Sequence, residues 1–153
     1  MIQKIGLLAF VIFGYCNLFS QEAEKEASPW LVSIDEAKKI ASAESKNILV
    51  AFTGSDWCTN CIKLEREVLN NKTFLDFASK ELVMVRADFP RRKKNLLSEE
   101  QTKHNDQLAA LYNQSGQFPI VALINKQGDL INTTGYLALT PEQYVVHIKS
   151  LLQ

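Results

Sequence analysis

Two cysteines separated by two residues, Cys58 and Cys61, constrain this chain most, because they stand between two kinds of secondary structure. The apolar run before them, residues 48–52, is typical of a strand buried on both faces of a central sheet. The segment after them, residues 61–71, carries apolar side chains among charges in a helical pattern. The pair is therefore predicted to lie at a strand-to-helix junction.

A pair in this position is compatible with a metal site, a structural disulfide or a redox-active pair. Two thiols cannot complete a four-ligand zinc site, and His104 and His147 lie far along the chain without a second ligand beside either. A structural bridge over so short a loop stabilises a fold little, because the entropy effect of a crosslink grows with loop length. We therefore predict a redox-active disulfide between Cys58 and Cys61, with no metal and no other cofactor.

The predicted helix start assigns a different role to each cysteine. The first backbone N–H groups of a helix have no intrahelical acceptor, and the helix dipole adds roughly half a positive charge there. Both effects stabilise a thiolate, so we expect a lowered pKa at Cys58 and predict that it is the nucleophile. Cys61, one turn deeper, is placed to attack the mixed disulfide formed at Cys58 and release the partner, which makes it the resolving cysteine.

The N-terminus is predicted to be an export signal, residues 1–20. A single cation, Lys4, precedes an apolar stretch at residues 5–15, and polar and small residues then lead to a cleavage site near Ser20. A retained anchor needs roughly 20 apolar residues, more than this stretch has. Cys16 leaves lipid modification as a third option, although bulky Tyr15 disfavours it. Residues 21–29 are predicted to be a flexible leader and residues 30–153 the folded domain.

Charge restricts the partners of the protein. Seventeen Lys and Arg balance seventeen Asp and Glu, so no overall field attracts nucleic acid or an acidic membrane. One local cluster departs from this balance, formed by Arg91, Arg92, Lys93 and Lys94. It is interpreted as part of a solvated loop, with a docking patch for an acidic partner as the alternative. The loop is predicted to extend over the polar segment at residues 89–105.

Hydrophobic periodicity predicts the order helix, strand, helix, strand, helix, strand, strand, helix. Ser33 and Thr140 are predicted N-caps of the first and last helices, and Gly116 is the predicted stop of the helix that carries Leu108 and Leu111. The two last strands, residues 120–125 and 130–133, are joined by a tight hairpin. The predicted fold class is α/β, a three-layer sandwich with a mixed central sheet and helices on both faces.

The segments "ILVAFTGSDWCTNCIKLEREV" and "FPIVALINKQGDLI" resemble the thioredoxin superfamily, and the resemblance covers residues 30–152. It is strongest to secreted bacterial thioredoxin-like proteins and to the C-terminal domain of membrane thiol reductases that feed electrons to the periplasm. It implies a thioredoxin-like fold and a cis peptide bond before Pro119, facing the cysteine pair. It also implies substrate binding by Trp57, Phe118 and Pro119, with the backbone of Phe118 offered to an extended substrate.

The sequence departs from the thioredoxin pattern at two places. Classical members carry a buried acid where Ala51 stands, so the proton acceptor for Cys61 is unassigned; Asp56 is one candidate, with a turn or cap role as its alternative. Between the cysteines stand Thr59 and Asn60, and this pair lacks the histidine of strong oxidants. The absence of that histidine favours a reducing or moderate potential.

The predicted function is a thiol-disulfide oxidoreductase that reduces or exchanges disulfides in secreted proteins. Its predicted partners are disulfide-containing protein substrates and a second redox protein that donates or accepts electrons. The alternative is a peptide-binding module of chaperone type in which the cysteines are accessory. We expect a monomer that lacks a membrane span after signal cleavage and works in a bacterial periplasm or outside the cell.

Overall fold

The computed structural model describes residues 28–153, so the predicted signal and most of the predicted leader lie outside the described part. The five strands are β1 (Trp30–Leu31), β2 (Asn47–Thr53), β3 (Leu82–Asp88), β4 (Ile120–Ile124) and β5 (Leu130–Thr134). The five α-helices are α1 (Ile34–Glu44), α2 (Thr59–Leu64), α3 (Lys72–Glu81), α4 (Glu99–Tyr112) and α5 (Pro141–Leu151). A π-helical turn, Glu65–Leu69, continues α2.

The strands form one mixed sheet in the order β1-β3-β2-β4-β5. β2 lies in the centre, parallel to β3 and antiparallel to β4, while β1 is parallel to β3 and β5 is antiparallel to β4. Because β2 and β3 run in the same direction, their carboxyl ends meet at one edge of the sheet. That edge carries the cysteine pair, since Cys58 follows β2 after a short turn.

Alternate residues of β2 face opposite sides of the sheet, and each side is covered by helices. Leu49 and Ala51 belong to a core cluster with residues of α2, α3 and α5. Ile48, Val50 and Phe52 belong to a second cluster with residues of α1 and α4. The predicted three-layer α/β sandwich with a centrally buried strand is confirmed.

The caps and the hairpin also confirm the local predictions. The Ser33 hydroxyl accepts the Glu36 N–H at the start of α1, and Thr140 and Gln143 form a reciprocal capping box at the start of α5. Gly128 has a φ of 99° in the turn between β4 and β5, a backbone angle that glycine adopts without steric cost. No helix in residues 28–153 is long and apolar enough to cross a membrane.

The segment around α4 corrects three predictions. The predicted loop at residues 89–105 is helical in its second half, because the Ser98 hydroxyl accepts the Gln101 N–H and starts α4 there. Leu111 is 63% exposed, so only one edge of α4 packs on the sheet. The helix ends at Tyr112, and Gly116, with a φ of 63°, closes the following turn instead of capping the helix. The strand β1, two residues long, was not predicted.

Candidate active site

The redox pair lies where β2 turns into α2. Cys58 is the N-cap of α2, and its N–H donates to the carbonyl of Gly54 at 2.9 Å. The Cys61 N–H donates to Cys58 Sγ at 3.2 Å, and the two sulfurs are joined in a disulfide. Cys58 is 8% exposed and Cys61 2%, so the first cysteine is the more accessible of the two. The predicted strand-to-helix junction is confirmed.

Trp57 packs against the turn that leads to Cys58. Its indole N–H donates to the carbonyl of Phe89 at 2.7 Å, and its ring meets the Phe118 ring edge to face at 5.4 Å. A Cβ on Gly54 would lie 2.3 Å from the indole ring, which is far inside contact distance. Only glycine leaves room for the indole at this position.

Two carboxylates attach this turn to the segment that follows β3. Asp88, the last residue of β3, accepts the Ser55 N–H at 2.9 Å and the Ser55 hydroxyl at 2.6 Å. Asp56 accepts the N–H groups of Arg91 and Arg92 at 3.0 and 2.9 Å. The active-site turn and the loop after β3 therefore form one hydrogen-bonded unit.

These contacts decide between the two interpretations of Asp56. The carboxylate also accepts the side-chain amide of Asn95 at 2.9 Å, so it holds three donors of the neighbouring loop. The Arg91 N–H, the Asn95 amide and the Arg92 N–H hold the pKa of Asp56 below its usual value of 3.8. The contacts support the turn or cap role, and the proton acceptor for Cys61 has to be sought elsewhere.

Phe118 and Pro119 come to the pair from the start of β4. The peptide bond between them is cis, as the resemblance implied. Phe118 lies between the rings of Trp57 and Phe89, each 5.4 Å away between centroids. Pro119 lines a small cavity behind Cys61. The fold therefore gathers all five predicted site residues, Trp57, Cys58, Cys61, Phe118 and Pro119, at one edge of the sheet.

The small cavity beside Cys61 is lined by two residues that form an ion pair, which was not predicted from the sequence. Its lining includes Cys61, Ala51, Pro119, Glu65 and Arg86, and it has a volume of about 10 Å³, enough for roughly one water molecule. Glu65 stands one helical turn after Cys61 and forms a half-buried ion pair with Arg86. The spacing of four residues was a signal available in the sequence, because such residues share a helix face.

Arg86 reaches this cavity from β3, where it is the register partner of Ala51. Its guanidinium lies 5.2 Å from the ring centroid of Trp30, whose indole N–H donates to Asn70 at 3.0 Å. Ala51, Arg86 and Glu65 all line the cavity, and the carboxylate of Glu65 pairs with the guanidinium of Arg86. An acid is therefore present behind the pair, although on a different element from the one expected.

The two histidines have other partners. His104 Nε2 accepts the N–H of Ile34 and so connects α4 to the start of α1, and His147 Nε2 is 2.9 Å from the Thr134 hydroxyl. Within residues 28–153 no group of three or more His, Cys, Asp or Glu side chains is arranged to hold a metal ion.

Comparisons with known proteins agree with this geometry. A model of the thioredoxin-like family matches residues 29–126. The chain belongs to the thioredoxin-like family. A relative from Chlamydia pneumoniae named disulfide bond reductase DsbH is 37% identical over 121 residues, which cover 79% of this chain and 71% of that protein. With the paired cysteines at the helix start, the family makes this chain a thiol-disulfide oxidoreductase.

Two solved structures support the same fold. A structure titled DsbH oxidoreductase superposes with a TM-score of 0.74 at 35% identity and covers 80% of this chain and 83% of its own. A thioredoxin from Thermus thermophilus superposes with a TM-score of 0.60 at 14% identity, over 80% of this chain and 85% of its own. The second similarity concerns the fold alone.

Proposed function

We propose that this protein reduces disulfide bonds in other proteins, with Cys58 as the nucleophile and Cys61 as the resolving cysteine. The observation that carries the proposal is the unequal environment of the two sulfurs. Cys58 Sγ caps the helix and accepts the Cys61 N–H, while Cys61 is almost fully enclosed. Donated N–H groups and the helix dipole stabilise negative charge on Cys58 once the pair is reduced.

The reaction runs through two exchanges. The Cys58 thiolate attacks one sulfur of a substrate disulfide, which forms a mixed disulfide and releases the other substrate sulfur as a thiolate. Cys61 then loses its proton and attacks Cys58 Sγ, and the bond from Cys58 to the substrate breaks. The substrate leaves with two thiols after taking up two protons. The protein keeps the Cys58–Cys61 disulfide, and a separate electron donor must reduce it before the next cycle.

Glu65 is proposed to receive the proton from Cys61. Both residues line the same narrow cavity, and Arg86, which lines it as well, pairs with the carboxylate. Thr53 also lines the cavity, and its hydroxyl is buried and has no hydrogen-bond partner among residues 28–153. A single water molecule in this space can contact the Thr53 hydroxyl and bridge Cys61 to the carboxylate.

Trp57, Phe118 and Pro119 are proposed to contact the substrate segment around its disulfide. Trp57, the residue before Cys58, packs on Phe118, and both residues are half-buried, so each keeps some surface exposed to solvent. Their positions are held by the indole hydrogen bond to Phe89 and by the contact between the Phe89 and Phe118 rings. A rigid aromatic surface binds polypeptide with little loss of side-chain entropy.

Two observations support reduction over oxidation. The relative from Chlamydia pneumoniae bears the name of a reductase, and Thr59 and Asn60 provide no histidine beside the Cys58 thiolate. The test is an equilibrium titration of the Cys58/Cys61 pair against glutathione. A potential near the roughly −270 mV of thioredoxins supports the proposal, and a value near the roughly −120 mV of strong oxidants contradicts it.

We also propose that the protein is exported across a bacterial inner membrane, is processed near Ser20 and acts as a monomer in the periplasm or outside the cell. The signal-like residues 1–20 and the redox pair support this compartment. Expression of the full chain in a bacterium, followed by fractionation and N-terminal sequencing, tests the proposal. A mature N-terminus near Gln21 in the periplasmic fraction is expected, and an intact N-terminus in the membrane fraction would contradict it.

A further inference from the structure

Four consecutive cations, Arg91, Arg92, Lys93 and Lys94, form a basic loop beside the redox pair. All four are exposed. The Arg91 guanidinium lies 3.7 Å from the ring centroid of Trp57, the residue directly before Cys58. The sequence alone left open whether these residues belong to a solvated loop or to a docking patch. Their position next to the nucleophile favours the docking patch.

The basic loop is held in place by the active-site turn. Asp56, two residues before Cys58, accepts the N–H groups of Arg91 and Arg92 and the amide of Asn95. The Trp57 indole donates to the carbonyl of Phe89, just before the loop. These four hydrogen bonds fix the backbone of the loop relative to the turn that carries Cys58. A loop that is only solvated would not need them.

A groove of about 360 Å³ is lined by Trp57 and Phe118 of the aromatic surface and by Arg91 of the basic loop. Its apolar lining is Trp57, Phe89, Pro90, Leu96, Leu97 and Phe118. Leu96, one of these residues, is 61% exposed. The groove therefore offers apolar contacts to a chain segment that is attached to Cys58 and passes over Trp57.

The charge of the basic loop is not compensated by ion pairs. Within residues 28–153 none of its four side chains forms a salt bridge, and the nearby Asp56 carboxylate is occupied by N–H donors. Glu99 and Glu100 follow at the start of α4, where their charges offset the dipole of that helix. Because the whole chain is formally neutral, this positive patch is a local feature of the active-site edge.

We propose that the basic loop and this groove recognise disulfide substrates whose polypeptide carries acidic residues beside the disulfide. The inference rests on the proposed function, because the segment is brought there by the mixed disulfide with Cys58. Apolar side chains of the substrate fill the groove, and carboxylates pair with Arg92, Lys93 and Lys94. Complementary charge of this kind raises the association rate and selects among substrates more than it tightens a complex.

The test uses three synthetic peptides that share one intramolecular disulfide and differ only at two flanking positions, which hold Glu, Gln or Lys. Fully reduced protein is mixed with each oxidised peptide, quenched with acid and alkylated, and the rate constant for oxidation of the protein is measured. This single-turnover format contains no electron donor, so it reports recognition of the substrate alone. Rates are measured at low ionic strength and again in 0.5 M NaCl, which screens surface charges to within a few ångström.

Two triple variants with the same change in net charge are compared. The first replaces the basic loop, with Arg92→Gln, Lys93→Gln and Lys94→Gln; Arg91 is kept because it packs on Trp57. The control replaces three exposed cations in other parts of the fold, with Lys39→Gln, Lys80→Gln and Lys126→Gln. All six side chains are exposed, so neither variant removes core packing.

The wild-type protein is expected to react about tenfold faster with the Glu peptide than with the Gln peptide at low salt, and more slowly with the Lys peptide. The preference for Glu should fall to within about twofold in 0.5 M NaCl and in the basic-loop variant, while the control variant keeps it. Equal wild-type rates with all three peptides, or a preference that survives in the basic-loop variant, would overturn the inference. If no peptide oxidises the reduced protein, the proposed function fails as well.

Discussion

The two sides of the disulfide differ in chemistry and in exposure. In front of Cys58 lie an aromatic surface and a basic loop, which the Asp56 carboxylate fixes to the active-site turn. Behind Cys61 lies a cavity with room for about one water molecule and a half-buried ion pair between Glu65 and Arg86. Carboxylates occur on both sides, but Asp56 organises a loop and Glu65 pairs with Arg86 beside the cavity behind Cys61.

This difference suggests that substrate recognition and proton transfer are separated across the disulfide. On the Cys58 side, substitutions of exposed side chains can change which substrates bind, because such substitutions seldom change stability by more than about 0.5 kcal/mol. The cavity on the Cys61 side is small and largely buried, so a substitution there alters both the packing around Cys61 and its chemistry. Variants on the two sides should therefore fail in different steps of the reaction.

The largest expected effect comes from the cysteines themselves. Cys58→Ser removes the attacking sulfur, so dithiothreitol-driven reduction of insulin should fall to the uncatalysed rate. Cys61→Ser retains attack but cannot resolve, so it should accumulate a mixed disulfide with insulin that is visible on non-reducing gels. Full turnover by Cys58→Ser, or trapping by that variant instead of by Cys61→Ser, would reverse the assigned roles.

A second prediction concerns the carboxylate behind Cys61. Glu65→Gln keeps the size of the side chain but removes the proton acceptor, so the release of substrate from the mixed disulfide should slow by about 100-fold at neutral pH. The first attack by Cys58 should change much less. Rapid-quench kinetics separate the two steps, and the matched control is Glu67→Gln, an exposed glutamate two residues further along the chain.

A rescue variant separates the proton role of Glu65 from a structural one. Ala51 is the register partner of Arg86, so Ala51→Asp in the Glu65→Gln background returns a carboxylate to the same cavity from β2. If the carboxylate acts on the proton, part of the lost rate and its pH dependence should return. If Glu65 only holds Arg86 in place, Glu65→Gln should slow the attack by Cys58 as much as the release of substrate, and the added carboxylate should restore no pH dependence.

Gly54→Ala is expected to lower the stability of the fold by an intermediate amount, through the packing of Trp57 beside Cys58. The added Cβ would lie 2.3 Å from the indole of Trp57, so the indole must move and lose its hydrogen bond to Phe89. Overpacking of this kind destabilises a protein by about 1–3 kcal/mol. Urea unfolding measures that cost, and an unchanged stability together with unchanged Trp57 fluorescence would show that the contact is not tight.

The smallest predicted effect is an acid-dependent loosening of the basic loop. The pKa of Asp56 is lower in the fold than its ordinary value of 3.8, so the contribution of its carboxylate is complete above that value and is lost as the pH falls through the lower one. The protection of the Arg91 and Arg92 amides, measured against the intrinsic exchange rate at each pH, should fall over that range. In Asp56→Asn the protection should be low at every pH, and wild-type protection that does not change with pH would refute the anchoring role.

The sequence predicted those parts of the site that are encoded locally. The apolar run before the turn, the helical pattern after it and the spacing of the cysteines each depend on neighbouring residues, and the structure confirms the junction they predict. The cis bond before Pro119 was predicted from the resemblance, because the dipeptide alone favours the trans form.

The parts that escaped prediction depend on contacts between distant segments. Glu65 gains its role only because β2 and β3 pair in the register that places Arg86 beside Ala51. The anchoring of the basic loop depends on Asp56, which meets Arg91 across 35 positions of the chain. The start of α4 was missed for a different reason: its first turns are polar and exposed, so they lack the hydrophobic periodicity of a packed helix.

The central claim is that Cys58 is the activated, accessible sulfur and Cys61 the enclosed one. The most direct test is alkylation of the fully reduced protein with iodoacetamide at a series of pH values from about 5 to about 10. Mass spectrometry then identifies which cysteine is modified. Cys58 is expected to be modified first at every pH, with a rate midpoint below the ordinary thiol pKa of about 8.5. Faster modification of Cys61, or a midpoint for Cys58 at or above that value, would contradict it.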